Sequence, residues 1–310
     1  MKKILNFIEK QFSLVLILAA LLGIFLPKIF IFMKPSISYL LGVVLLFGFL
    51  KIDYQHLLQV LKKPWFLIWL IICQMILLPT IFFLILQFWN LEIAIGVLII
   101  MAIPTAVAAP TMVDLFKGQI PLALIITVLT HLLLPLILPV LFLILLGQNI
   151  HISTLDIFIF LTKVIFIPFI ISILVRQYGQ KLIAKTQAYF KVINIIIIFF
   201  VIAAAIAINQ NLIIQENKNL LLYLFYFFIL AVILHIFGWL ISIKAKPEEQ
   251  ITSIITLSYN NMALGLLIAM NFFSGKVVVY CLCYEIIWGF LPLITKLFLK
   301  TKGLNLVSRS

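Results

Sequence analysis

Two short stretches hold the residues with most chemistry to offer. In Ala102-Ile103-Pro104-Thr105-Ala106-Val107-Ala108-Ala109-Pro110-Thr111, two prolines stand six positions apart inside an apolar run. Each proline removes a backbone donor and clashes with the preceding turn, so the run between them is expected to unwind. In Thr256-Leu257-Ser258-Tyr259-Asn260-Asn261, five of six side chains can hydrogen-bond within an otherwise apolar helix. Unwound backbone in apolar surroundings must be satisfied by protein, water or a bound solute. The chemistry on offer is the binding of an ion or an anionic group at facing half-helix ends. A proline kink, with polar side chains gluing helices together, is the plainer alternative.

Ionisable residues inside apolar runs add proton or cation chemistry, because burying them is costly. Asp114 follows the first break, His131 and Glu285 lie on the helices after the two breaks, and Lys163 sits in a run of its own. Asp114, His131 and Glu285 are candidate proton or cation sites. Salt bridges or snorkelling are the plainer account, above all for Lys163 and for Asp114 beside Lys117. His235 reads as a helix–helix hydrogen-bonder, and His56 and His151 as loop residues. Cys73, Cys281 and Cys283 lie in apolar runs without CxxC spacing and read as packing residues. No HExxH, GxSxG, P-loop or GxGxxG occurs, and the acids do not cluster as metal ligands do. No enzyme is expected, and a lipid-modifying one would have no catalytic cluster. Phe82-Phe83 and Phe199-Phe200 read as lipid-facing pairs.

What must position these residues is a bundle of membrane-spanning helices. Of 310 residues, 65% are hydrophobic and 10% charged, with a mean hydropathy of +1.31. Soluble domains run at about 45–50% apolar and 25% charged. That excludes a soluble enzyme, a nucleic-acid-binding domain, a disordered chain and a disulfide scaffold. Hydropathy marks ten candidate spans near 12–27, 36–50, 65–88, 92–116, 120–147, 157–175, 192–208, 220–243, 250–273 and 277–298. A bilayer crossing needs roughly 20 residues, so the first two are short. Continuous period-two alternation is missing, which argues against a β-barrel. The first run, after Lys2, Lys3 and Lys10, reads as a retained helix, because many spans follow it and no small-x-small site closes it.

Placing both ends of the chain in the cytoplasm puts most of the 22 lysines and arginines, from Lys2 to Arg309, in inside connections. Lys28, Lys34, Lys218 and Lys276 fall outside, and Lys163 within a span. The net charge of +13 is thereby explained without nucleic acid. The chain also repeats itself at an offset of 157 residues: Phe116 and Gly118 match Phe273 and Gly275, Leu134-Pro135-Leu136-Ile137 matches Leu291-Pro292-Leu293-Ile294, and Pro104 falls opposite Asn261. Five spans per half is an odd number, so the second copy must enter the membrane inverted, as in many secondary transporters. The expected fold is an all-α integral membrane protein of ten transmembrane helices, in two inverted five-helix repeats over 1–155 and 156–310.

Several stretches, taken in order, resemble the bile acid:sodium symporter family. They are Leu40 to Asp53, Lys63-Pro64 with Gln74 and Pro79, Leu91 to Val97 with the Pro104 break and Leu115-Phe116-Lys117-Gly118, and Asn260-Asn261 through Phe272-Phe273. The resemblance implies a panel domain of spans 1, 2, 6 and 7, a core domain of spans 3–5 and 8–10, and crossed, unwound spans 4 and 9. It implies an organic anion as substrate, bile-acid-like or a smaller carboxylate, usually carried with sodium. Gln74, Thr127 and Asn260 fall where the family supplies sodium-ligand oxygens. Thr256 stands in place of a shared glutamate, Ala109-Pro110 in place of a Ser-Asn pair, and Ala123 in place of a ligand hydroxyl. Losing a carboxylate and three neutral ligands predicts severely weakened sodium sites, by analogy with other hard cations.

The expected activity is therefore secondary transport of an organic anion by alternating access, with substrate beside Thr105, Asn260 and Asn261. Coupling falls either to residual sodium at Gln74, Thr127, Thr256 and Asn260, or to a proton on Asp114, His131 or Glu285. An uncoupled carrier and a non-transporting membrane sensor or subunit are the alternatives. Beyond substrate, coupling ion and lipid bilayer, no cofactor or protein partner is expected. The expected location is a bacterial inner membrane.

Overall fold

The computed structural model describes residues 12–51, 64–147, 153–273 and 275–304. His56, His151 and the flanking Lys2, Lys3, Lys10, Lys62, Lys63 and Arg309 lie outside the described residues, as do Ile52 and Asp53 of the second-span motif.

Most of the helices follow the apolar runs, although Gln180–Ile208 starts well ahead of its run. α1 is Phe12–Phe25; a helical turn, Pro27–Phe30, and a tighter 3-10 stretch, Ile31–Ser36, lead into α2, Ile37–Leu50. α3 covers Pro64–Leu86 and α6 covers Ile120–Leu146. Between them stand two short helices, α4 (Leu91–Ala102) and α5 (Ala109–Leu115). α7 is Thr154–Tyr178 and α8 is Gln180–Ile208. After the short helix Gln210–Gln215 comes α9, Leu220–Leu240. A second broken pair follows, α10 (Pro247–Ser258) and α11 (Met262–Phe272). α12 (Lys276–Trp288) and α13 (Leu291–Thr301) close the described chain. Each expected span thus falls on a helix or on a helix pair. Among the described residues, five stretches are long and apolar enough to cross a bilayer: Pro27–Leu50, α3, α6, α7 and α9. α12 and α13 add a sixth if taken as one span bent by 61° at Gly289-Phe290.

The packing separates two groups. α1 and α2 lie against α8, and α2 against α7; α3 packs on α4, α9 on α10 and α12, and α4 and α11 on α12. α6 and α7 form one seam between the groups. The broken helices are innermost: Ile93–Ala102, Ile251–Ser258 and Val277–Glu285 are buried throughout. α10 is drawn close to α9 by Gly238, where a Cβ would stand 2.6 Å from Ile254 Cα. Small residues permit such backbone approach in membrane helices.

α3 carries a wide turn, Cys73–Leu77, in which Leu78 N–H reaches the carbonyl of Cys73. Pro79 explains it. A proline ring clashes with the carbonyl four residues back and offers no N–H to it, and wider winding relieves both problems.

One reading of surface position is corrected. Phe83 is not lipid-facing but only 1% exposed, on the part of α3, Leu78–Leu86, that packs against α4. Phe82, its neighbour, is half-buried and stacks edge-on to Phe237 at 5.8 Å. Lys163 is exposed on α7, in keeping with the snorkelling account, since its flexible stem lets the ammonium reach towards polar surroundings.

Candidate functional site at the crossing of two broken helices

The first break follows the prolines. Ile103, ahead of Pro104, is extended (φ −66°, ψ 155°) and ends α4, since a residue before proline is driven out of the helical region. Pro110 sits in the first turn of α5, where its missing N–H leaves no bond unmade. The second break has no proline. Tyr259 leaves α10 at φ −96°, ψ 79°, and the Asn261 side chain restarts the helix by accepting from Leu264 N at 3.3 Å.

The two unwound segments satisfy each other. Thr105 and Asn260 form an antiparallel bridge. Ala106 N donates to Tyr259 O at 2.6 Å, and Asn261 N to Pro104 O at 2.8 Å. These bonds answer the orphaned backbone groups that an interrupted helix leaves in an apolar interior.

Side chains extend the bridge into two linked networks. Thr105 Oγ donates to the carbonyl of Thr256 at 2.9 Å and accepts from Gln74 Nε2 at 3.0 Å, while its backbone N–H meets Thr130 Oγ at 3.3 Å. Gln74 lies in the wide turn of α3. In the second network, Asn261 Nδ2 donates to His131 Nε2 at 2.9 Å, and His131 Nδ1 bonds the Thr127 carbonyl at 2.7 Å. A carbonyl only accepts, so Nδ1 carries the proton and Nε2 the lone pair. The orientation of Asn261 agrees, because its Oδ1 is taken by the cap. The ring is therefore neutral. Asn260 Nδ2 donates to Ile100 O at 2.7 Å, and its own carbonyl accepts from Trp288 Nε1 at 3.1 Å. Asn260 Oδ1 is buried with no hydrogen-bond partner.

Of the expected site residues, Thr105, Asn260, Asn261, Gln74, Thr127, Thr256 and His131 come together here, none more than 8% exposed. The hydroxyls of Thr127 and Thr256 donate back along their own helices, to Ala123 O at 2.8 Å and Thr252 O at 2.9 Å. Their lone pairs stay free to ligate. Ala109, Pro110 and Ala123 are buried, so the apolar replacements are seated inside the protein. Asp114 is apart from this cluster, exposed at the end of α5. Glu285 is buried on α12, three residues before Trp288, and its Oε2 has no partner. His235 bonds Thr295 Oγ at 2.8 Å, and Tyr259 OH meets the same oxygen at 3.0 Å. That is the helix–helix role expected of His235. Thr130, Thr295 and Trp288 are members that sequence reasoning missed. Each sits on a helix whose rotation decides its partner.

What gathers here is a set of neutral oxygens: Asn260 Oδ1, Gln74 Oε1 and threonine hydroxyls. They suit a small hard cation in kind but bring no charge. Among the described residues no group of three or more His, Cys, Asp or Glu could hold a metal. Two half-helices face each other across the bridge, with an unpartnered amide oxygen beside them. A model of the sodium bile acid symporter family matches residues 38–216, from α2 to the turn before α9, the first break included. The chain belongs to the sodium bile acid symporter family. With its apolar helices, membership makes it an integral membrane protein. A stretch of 197 residues is 26% identical to the "uncharacterized sodium-dependent transporter YocS" of Bacillus subtilis (strain 168). The match covers 63% of this chain and spans 61% of the length of that relative.

Proposed function

We propose that this family member is a secondary transporter of an organic anion, bile-acid-like or a smaller carboxylate, working by alternating access. The observation that carries the reading is the bridge between Thr105 and Asn260. Two interrupted helices meet there back to back at repeat-related positions, since Asn261 N bonds the carbonyl of Pro104, its counterpart at the 157-residue offset. Residues on a two-fold axis meet their own counterparts, which supports two inverted five-helix repeats. The substrate anion lies beside the crossing at Thr105, Asn260 and Asn261, close to the start of α11.

Sidedness has support of its own. Connections expected outside touch one another, through Gln210 Nε2 on Ile24 O at 2.7 Å and Lys276 Nζ on Glu216 Oε1 at 3.2 Å. Connections expected inside do likewise, through Arg176 on Leu50 O at 3.2 Å and Gln119 N on Thr252 Oγ at 2.7 Å. Both chain ends are then cytoplasmic, in a bacterial inner membrane. The group α1, α2, α7 and α8 serves as the panel against which the remaining helices move as the core.

For coupling, a sodium ion takes Asn260 Oδ1 together with Gln74, Thr127 and Thr256, a reading supported by the word "sodium-dependent" in the relative's name. The second reading is a proton on Glu285, supported by its buried, unpartnered carboxyl oxygen. Melting temperature in sodium against potassium chloride, from pH 5 to 8, tests both, because a ligand that binds only the folded state stabilises it by mass action. A saturable rise specific to sodium sustains the first reading. No sodium effect, with pH-driven uptake into vesicles that is lost in Glu285→Gln, sustains the second. Vesicles that accumulate no organic anion under either gradient overturn the transporter itself.

A further inference from the structure

Away from the crossing, three connections expected on the outer side converge around an open cleft of about 190 Å³. Its walls are aromatic, with Trp89, Tyr226 and Tyr280 prominent, and its polar lining includes Asn219, Tyr223 and Lys276. Those three polar residues share one partner, the carboxylate of Glu216, which stands at the edge. Tyr223 OH donates to Glu216 Oε2 at 2.8 Å, Asn219 Nδ2 to the same oxygen at 2.9 Å, and Lys276 Nζ to Oε1 at 3.2 Å. Glu92 stands second to the lysine, at 3.9 Å.

A phenol, an amide and an ammonium converging on two oxygens make a carboxylate cradle, with charge assistance from the lysine. Its preference for the ionised form shows in Glu216, held below the usual carboxylate range by Asn219 first, then by Tyr223, with Lys276 adding to the pull. Yet the carboxylate occupying it belongs to a turn between the short helix Gln210–Gln215 and α9. Lys276 keeps 38% of its side-chain exposure. Glu216 itself keeps only 12%, but the lysine end of the pair is open to water, where pairing holds weakly, at about 0–1 kcal/mol. Glu216 also sits at a helix end leading into a turn, so another carboxylate can exchange for it. Such a ligand would gain what Glu216 lacks, namely an apolar body against the aromatic walls.

We propose that this cleft is an outer binding site for organic carboxylates with a flat, fused-ring body, in which the ligand's carboxylate displaces that of Glu216 from Tyr223, Asn219 and Lys276. The link to physiology rests on the organic-anion reading above, but binding here needs no transport, so the two fail separately.

The test is calorimetric titration of the purified full chain with 2-naphthoate, and with the neutral 2-naphthalenemethanol as its isostere. Glu216→Gln removes the resident anion and should tighten naphthoate binding by about ten-fold, a step of about 1.4 kcal/mol, leaving the alcohol unchanged. Lys276→Gln and Tyr223→Phe should weaken naphthoate and spare the alcohol. The Glu216→Gln arm reads a gain, which misfolding cannot imitate. Naphthoate binding that is unchanged or weakened in Glu216→Gln, or an alcohol that binds wild type as tightly as naphthoate, overturns the proposal.

Discussion

At the crossing, the polar partners are neutral. Thr105, Gln74, Thr256, Asn260, Asn261 and His131 hold one another and the backbone while each stays 8% exposed or less. At the cleft, a lysine and two carboxylates meet at 3.2 and 3.9 Å, with side-chain exposures of 38% on Lys276, 50% on Glu92 and 12% on Glu216. The contrast is one of dielectric. Deep in the protein, an uncompensated charge costs several kcal/mol, so unwound backbone is better satisfied by amides and hydroxyls. Near water the same charge costs little and returns little, which suits contacts that must form and break.

The sharpest way to break the contrast is to put a charge where it is now missing. Thr256→Glu at pH 8 in potassium chloride should cost about 3–5 kcal/mol, the scale of an uncompensated buried charge. If the oxygens of Gln74, Thr127 and Asn260 form a sodium cavity, sodium should recover a large part of that loss, read as a melting temperature restored by sodium alone. A variant as stable as wild type in potassium would show that water or a flexible cavity already reaches the crossing. Next in size, Asn261→Ala removes the cap of α11, worth about 1 kcal/mol, and strands the buried Nε2 of His131 for about 1–3 kcal/mol more. Denaturation midpoints should fall accordingly, and Asn261→Ser should return the cap without the histidine bond.

Smaller still, Trp288→Phe deletes one hydrogen bond to Asn260 O while keeping the ring beside Tyr259, and about 1 kcal/mol should be lost. At the cleft the effect should be least. Glu216 is held below the usual carboxylate range by Asn219, Tyr223 and Lys276. A lowered folded value means that the stabilisation is present above the ordinary range and fades as pH falls through the folded one. Between neutral pH and strong acid, wild type should therefore lose under about 1 kcal/mol relative to Glu216→Gln, and added salt should shrink the difference. A gap of several kcal/mol would mean that the cleft is as dry as the crossing.

The two regions also differed in how legible they were. Pro104, Pro110 and the run Thr256 to Asn261 announced both breaks, because proline chemistry and polar side chains in apolar runs act locally. The ten apolar runs likewise located the helices. Partners were another matter. That Gln74 would hold Thr105, or Asn261 would reach His131, depends on the rotation of α3 and α6, which a wide turn at Cys73–Leu77 and prolines at 135 and 139 perturb. The same ignorance put Phe83 on the lipid face and grouped Asp114 with residues it does not join. The cleft went unseen because Glu216 and Asn219 come from one connection and Lys276 from another, with no shared motif. The one available hint was that Lys276 and Lys218 were among the few lysines expected on the outer side.

The wide turn of α3 carries an evolutionary corollary. A wide turn holds one residue more than a regular one. Losing one residue from Cys73–Leu77 would therefore restore regular winding and leave Leu78–Leu86 facing as it does now, with only the wide turn itself rearranged. Gln74 would then no longer meet Thr105 as it now does, while Phe83 would keep its buried place. In aligned relatives, a one-residue gap at this place would mark a divergence of mechanism, whereas the same gap in a surface connection would be mere drift in length.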